Sequence, residues 1–262
     1  MCFAFDAKPP APPADLIRPP IAGGAGAEML ELHSADGTRF SAAFAQSPSG
    51  GSTGIVILPD VRGLYPFYVE LAERFAEAGH HAVTIDYFGR TAGLGPRGEE
   101  FEYAPHVQQL KIPQVQADAG AAINAMRERT GVEQVASVGF CLGGFLSFLA
   151  ATSDQLGLAA AVGLYGILDS SRFGVPGPIE RAADMRCPVL GLFGEADQAI
   201  PVEQVDEFAA RLTDAGIEHE IKVYPGAPHS FFDRRYEEHA EACEDAWRRM
   251  LGFVERSPAA AI

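Results

Sequence analysis

The segment Val138-Gly139-Phe140-Cys141-Leu142-Gly143-Gly144 places one cysteine between glycines two positions before it and two after it. It lies between an apolar run and a helix that continues through Phe145 to Ala151. The pattern Gly-x-Cys-x-Gly describes a strand-to-helix turn so tight that side chains at the flanking positions would clash. The central side chain then projects from the carboxyl end of the strand. A helix N-terminus at that point favours the thiolate, the form in which a cysteine attacks an acyl carbon. A buried cysteine in a glycine-rich helix–sheet contact, or a phosphate-binding turn, is the plainer reading, but neither G-x-G-x-x-G nor a P-loop lysine is present. Two further residues suit the same chemistry. Asp197, in Phe193-Gly194-Glu195-Ala196-Asp197, follows one apolar run, and His229, in Pro228-His229-Ser230-Phe231-Phe232, follows the next. A thiol, an imidazole to move its proton and a carboxylate to orient the imidazole are the parts of nucleophilic acyl transfer.

The elements that must position them alternate in type. Met29–His33 and Phe40–Phe44 flank Asp36-Gly37 and read as a hairpin with a tight turn. Bare apolar runs follow at Ile55–Leu58, Ala82–Ile85, Val135–Val138, Ala159–Leu164 and Val189–Phe193, with Glu220–Tyr224 after them. Between them lie helical stripes: Tyr68, Leu71, Ala72 and Phe75; a helix around 114–130; and Val202, Val205, Phe208 and Leu212. The last stripe is Cys243, Trp247, Met250, Leu251 and Val254. Strands apolar throughout are covered on both faces, so the alternation predicts an α/β fold with a mostly parallel, doubly wound sheet. With no internal repeat and no second core, one domain over 28–255 is expected. A Pro/Gly-rich arm (1–27) precedes it, either mobile or lying on the domain, and a short tail (256–262) follows. Loops at 87–113 and 166–186 should lie over one end of the sheet.

Charge and cysteine usage narrow the partners. The formal net charge of −15 repels phosphate backbones and acidic membrane surfaces, so nucleic acid and membranes are not expected partners. No apolar run reaches bilayer length and the N-terminus lacks the form of a signal peptide. Four cysteines without a CxxC pair fit a reducing compartment, and a cytoplasmic protein is expected.

The motifs GFCLGG, FGEAD and PHSFF, with Asp60 and Asp86-Tyr87-Phe88-Gly89-Arg90 after the preceding strands, resemble the dienelactone hydrolase (carboxymethylenebutenolidase) family over roughly residues 28–255. Nucleophile, acid and histidine come in the chain order of α/β hydrolases. The resemblance implies an α/β-hydrolase fold with Cys141 as nucleophile, His229 as general base and acid, and Asp197 as orienter of the imidazole. It implies an oxyanion hole from the backbone N–H groups of Val61 and Leu142. It also implies that Asp60 tunes the protonation of the thiol and that Arg90 holds a substrate carboxylate. Two departures are visible. Asp60 is one methylene shorter than the family's glutamate, and Asp233 stands four residues after the histidine, where dienelactone hydrolases proper carry a second arginine. Arg234 and Arg235 follow it.

The expected activity is hydrolysis of lactones or activated carboxylic esters through a thioester, without cofactor or metal, with a broader carboxylesterase or thioesterase as the alternative. Weak preference for carboxylate-bearing substrates is expected, because Asp233 facing the pocket would oppose them. A redox-responsive thiol at Cys141 is a rival from another class, weakened by the lack of an evident resolving cysteine. Cys187 and Cys243 read as small core residues, and His80 and His81 as a helix-to-strand turn. Arg62 and Tyr65 read equally as pocket lining or solvent-facing loop. Monomer and homodimer both remain open.

Overall fold

The computed structural model describes residues 7–18, 26–95, 97–169, 174–233 and 235–257. Parts of the expected arm (1–6, 19–25), of the 166–186 loop (170–173) and of the tail (258–262), together with Pro96 and Arg234, lie outside the described residues. Eight strands form one sheet: β1 Ala27–His33, β2 Arg39–Ala45, β3 Thr53–Leu58, β4 Ala82–Ile85, β5 Gln134–Phe140, β6 Ala160–Leu164, β7 Val189–Gly194 and β8 His219–Tyr224. Their order is β1-β2-β4-β3-β5-β6-β7-β8. β1 pairs antiparallel with β2 and β2 with β4, while every later pairing is parallel. The hairpin turn is held by the Asp36 carboxylate, which accepts the Thr38 amide at 3.0 Å. Strands β3, β4, β6 and β7 are buried along their whole length. That burial is why they read as unbroken apolar runs.

The helices are α1 Pro66–Glu77, α2 Gly89–Ala92, α3 Ala104–Val107, α4 Ile112–Thr130, α5 Leu142–Ala150, α6 Pro178–Arg181, α7 Val202–Asp214 and α8 Ala240–Arg256. On one face α1 meets α8 through Phe75 and Trp247, ring centroids 4.9 Å apart. On the other, α5 meets α7 through Phe148 and Phe208 at 5.1 Å. The helix expected around 114–130 starts at Ile112, because Pro113 sits in its first turn, where no amide donor is missed. Residues 7–18 lie on the domain: the indole Nε1 of Trp247 donates to the Pro10 carbonyl at 3.0 Å, and the Arg18 amide to Glu77 at 2.9 Å. No helix among the described residues is long and apolar enough to cross a membrane.

Candidate active site

Cys141 sits between β5 and α5 with φ 53° and ψ −112°, a conformation that L side chains seldom adopt. Steric fit around it explains the two glycines. A Cβ on Gly139 would come within 1.9 Å of the Gly143 carbonyl oxygen, and one on Gly143 within 1.9 Å of the Leu58 carbonyl oxygen. Helix α5 can therefore begin directly against the end of β3. Positive φ at a non-glycine residue recurs, among the described residues, only at Tyr165 (40°) and Ser230 (59°). Tyr165 ends 5.1 Å from the imidazole of His229, centroid to centroid, and Ser230 is its chain neighbour. The strained backbone is thus gathered at one place, as is common where function constrains conformation.

The strands bring Cys141, Asp197 and His229 to the same end of the sheet. Asp197 is buried; one carboxylate oxygen accepts the Ala199 amide at 2.8 Å and the other faces His229 Nδ1 at 2.7 Å. The thiol of Cys141 lies within hydrogen-bonding reach of the same imidazole. Burial pulls the His229 pKa down, but the bond to Asp197 and the bond and charge of Cys141 outweigh it, lifting the group to about 10. Glu195, the neighbouring acid, accepts the Gly226 amide and stays exposed. Val61 and Leu142 both border the cleft beside Cys141. Neither backbone amide donates to an acceptor among the described residues.

The cleft has a volume of about 1130 Å³. Cys141, Asp197 and His229 line it, together with Leu142, Phe145 and Leu146 of α5. The 87–113 excursion adds Tyr103, Val107, Leu110 and Ile112 to the lining. Those apolar residues inside a polar stretch were the overlooked signal: Tyr103 and Val107 are spaced four apart, as on one face of a helix turn.

Three expectations about charge are corrected by the structure. Arg90 does not reach the cleft. Its guanidinium is spent on Asp118 of α4 (2.7 and 3.1 Å), on Asp36 of the hairpin turn and on the hydroxyls of Ser34 and Thr38. Asp118 is fully buried and needs that partner. Asp60 makes no bond to the thiol, because Arg62 binds both of its oxygens: its amide at 2.8 Å, Nε at 3.0 Å and Nη2 at 2.5 Å. Asp233 does not face the cleft as an uncompensated charge. It is 2% exposed and pairs with Nη2 of the same arginine.

Arg62, read from sequence as pocket lining or loop, is instead a buried cation between two buried carboxylates, its guanidinium 3.9 Å from the ring centroid of Tyr65. Burial opposes its charge, but Asp60 and Asp233 outweigh that and raise its pKa further. The triad joins the loop after β3, which carries Val61, to the loop after β8, which carries His229. Tyr87 adds a second restraint: its hydroxyl lies 2.6 Å from the Pro59 carbonyl and 2.7 Å from that of Asp60. Cys187 and Cys243 are buried, and burial pushes both thiols up to about 12, so neither supplies a ready thiolate.

Residues 40–257 match the model of the dienelactone hydrolase family. The chain belongs to that family. It is 32% identical over 204 residues to a candidate carboxymethylenebutenolidase of Methylorubrum extorquens, covering 75% of this chain and 69% of the relative. It is 30% identical over 219 residues to the carboxymethylenebutenolidase of Rhodococcus opacus, covering 81% and 84%. Among solved structures, a candidate dienelactone hydrolase from Klebsiella pneumoniae superposes with a TM-score of 0.73 at 27% identity, covering 87% of this chain and 99% of the other. The α/β-hydrolase fold and membership among dienelactone-type hydrolases follow.

Proposed function

We propose that the protein hydrolyses carboxylic esters or lactones through a thioester on Cys141. The observation that carries this reading is the alignment of Cys141, His229 and Asp197 at one end of the sheet, with the unoccupied amides of Val61 and Leu142 beside the thiol. With Nδ1–H donated to Asp197, Nε2 of His229 takes the thiol proton, and the raised pKa of the imidazole keeps the proton there until the leaving group needs it. The thiolate attacks the acyl carbon, and the two amides stabilise the oxyanion that forms. Collapse expels the alkoxide or enolate, which takes the proton from the imidazolium, and leaves the acyl group on sulfur. Water, deprotonated by His229, then attacks the thioester; the acid departs and the proton returns to the thiolate. Asp197 fixes the tautomer and stabilises the imidazolium throughout. An amide resists this route, since the thiolate leaves the tetrahedral intermediate more readily than an amine anion.

The names of the relatives point to an enol lactone, the kind of bond such a site would open. The test is rapid acid quenching during turnover of an aryl ester, followed by intact-protein mass measurement. An acyl adduct on the parent that is missing from Cys141→Ala, with turnover of the variant down at least about 1,000-fold, is expected. Turnover by Cys141→Ala equal to the parent's would remove the nucleophile from the reading.

A further inference from the structure

Resting on that ester-hydrolase reading, we infer that the cleft selects uncharged substrates carrying an extended apolar acyl group, and discriminates against the same chain ending in a carboxylate. The argument starts from where the cations are. Arg90 is committed to Asp118 and Asp36, and Arg62 to Asp60 and Asp233, all outside the cleft. Among the described residues lining the cleft, the cations are His229, which is paired with Asp197, and Arg235. Its Nε lies 3.1 Å from each oxygen of the Glu238 carboxylate and its Nη2 donates to the same group. A substrate carboxylate would have to share that half-exposed guanidinium with Glu238, and would do so in the field of a chain at −15.

The apolar lining supplies the positive half of the selection. Val107, Leu110, Ile112, Phe145, Leu146 and Ile167 all line the cleft of about 1130 Å³, more room than a small lactone fills. Water held against these walls is released when a hydrocarbon chain replaces it, whereas a carboxylate placed against them must be stripped of its hydration by apolar neighbours that give nothing in return. Phe145 and Leu146 lie within the first turns after Cys141, so a chain attached through the acyl carbon has this surface within reach.

Hydrolysis and binding test this separately. In hydrolysis by the parent, kcat/KM should rise at least about ten-fold from p-nitrophenyl butanoate to p-nitrophenyl octanoate. The mono-p-nitrophenyl ester of octanedioic acid, the same chain with a terminal carboxylate, should be at least about ten-fold poorer than the octanoate. Leu110→Asp should collapse the octanoate-to-butanoate ratio. In calorimetric titration of Cys141→Ala, octanamide should bind and the monoamide of octanedioic acid should bind more weakly. Equal or tighter binding of the charged amide overturns the inference, whatever the hydrolysis shows. Loss of that preference in Arg235→Ala would then assign the cleft to anions held by Arg235. If no ester yields a thioester yet octanamide is preferred, the hydrolase reading fails and the apolar cleft stands.

Discussion

Around Cys141 the backbone is fixed by the absence of side chains: Gly139 and Gly143 let α5 begin within contact of β3 and β5, and no charged group takes part. The neighbouring loops that carry Val61 and His229 are joined the opposite way, by a buried arginine held between two carboxylates, one of them 171 residues further along the chain. The difference teaches how each part fails. A steric device tolerates no added atom and is indifferent to pH. A buried ionic device tolerates replacement as a set, but not the loss of one member, because the remaining charges stay desolvated.

The sharpest break of the steric half is Gly143→Ala. Its Cβ meets a backbone oxygen at 1.9 Å, which no rotamer change relieves. A cost of about 3 kcal/mol or more is expected. Turnover should disappear and the thermal midpoint should fall at every pH from 6 to 9. A variant that keeps the parent's midpoint and activity would show that the turn is looser than the geometry requires.

Next in its effect on turnover is Arg62→Met, which leaves Asp60 and Asp233 buried without their shared cation. Breaking such a pair costs about 3–5 kcal/mol, roughly 10 °C in a domain of this size. Burial and mutual repulsion raise the pKa of unpaired carboxylates, so the deficit relative to the parent should be larger at pH 8 than at pH 5. Turnover of folded protein should drop as well, since the Val61 and His229 loops lose their tie. The triple variant Asp60→Asn, Arg62→Gln, Asp233→Asn should recover much of the stability lost by Arg62→Met. A triple variant less stable than Arg62→Met would mean the ionic set is indispensable, and the contrast between the two halves would not hold.

Legibility in the sequence follows the same division. The elbow, the buried strands and the chain order of Cys141, Asp197 and His229 could be read because each depends on neighbours within a few residues: glycine spacing, apolar runs, a loop after a strand. The hairpin at Asp36-Gly37 was legible for the same reason. The destinations of the arginines were not. Arg62 is defined by Asp233, 171 residues further along the chain, and Arg90 by Asp118, which looks from sequence like one polar residue in an amphipathic helix. Nothing local distinguishes a guanidinium facing solvent from one folded inward onto a carboxylate. The apolar wall of the cleft fell between these cases, since its residues are close in sequence but embedded in a polar excursion.

The histidine sits between the two halves, and its titration reports its ties to Asp197 and Cys141. Its pKa in the folded protein is about 10 against 6.5 for an unperturbed imidazole. A raised pKa on a base means that the stability it contributes is fully present below 6.5 and is lost as pH rises through about 10. Asp197→Asn should bring the imidazole titration, followed by NMR, down towards the ordinary range and flatten the pH dependence of unfolding between those limits. It should reduce turnover less than His229→Ala does, because the variant imidazole still moves the proton. Cys141→Ala should lower the titration too, since the bond and charge of Cys141 also raise it. A titration unmoved by Asp197→Asn would place the source of the shift elsewhere.

The smallest effect on the reaction is expected at Arg90, and that smallness is informative. If a guanidinium served the cleft from this position, its removal would selectively harm substrates bearing a carboxylate. The side chain instead ties the hairpin turn at Asp36 to α4 at Asp118, bridging the antiparallel edge of the sheet to a helix that covers it. Arg90→Ala should therefore lower the thermal midpoint by uncovering the buried Asp118, and Asp118→Asn in the same chain should restore part of that loss. The ratio of kcat/KM for p-nitrophenyl octanoate and the mono-ester of octanedioic acid should equal the parent's, measured below the unfolding range so that stability does not intrude. A ratio shifted further towards the neutral ester in Arg90→Ala would return this arginine to the substrate. It would also require the bonds to Asp36 and Asp118 to open during turnover.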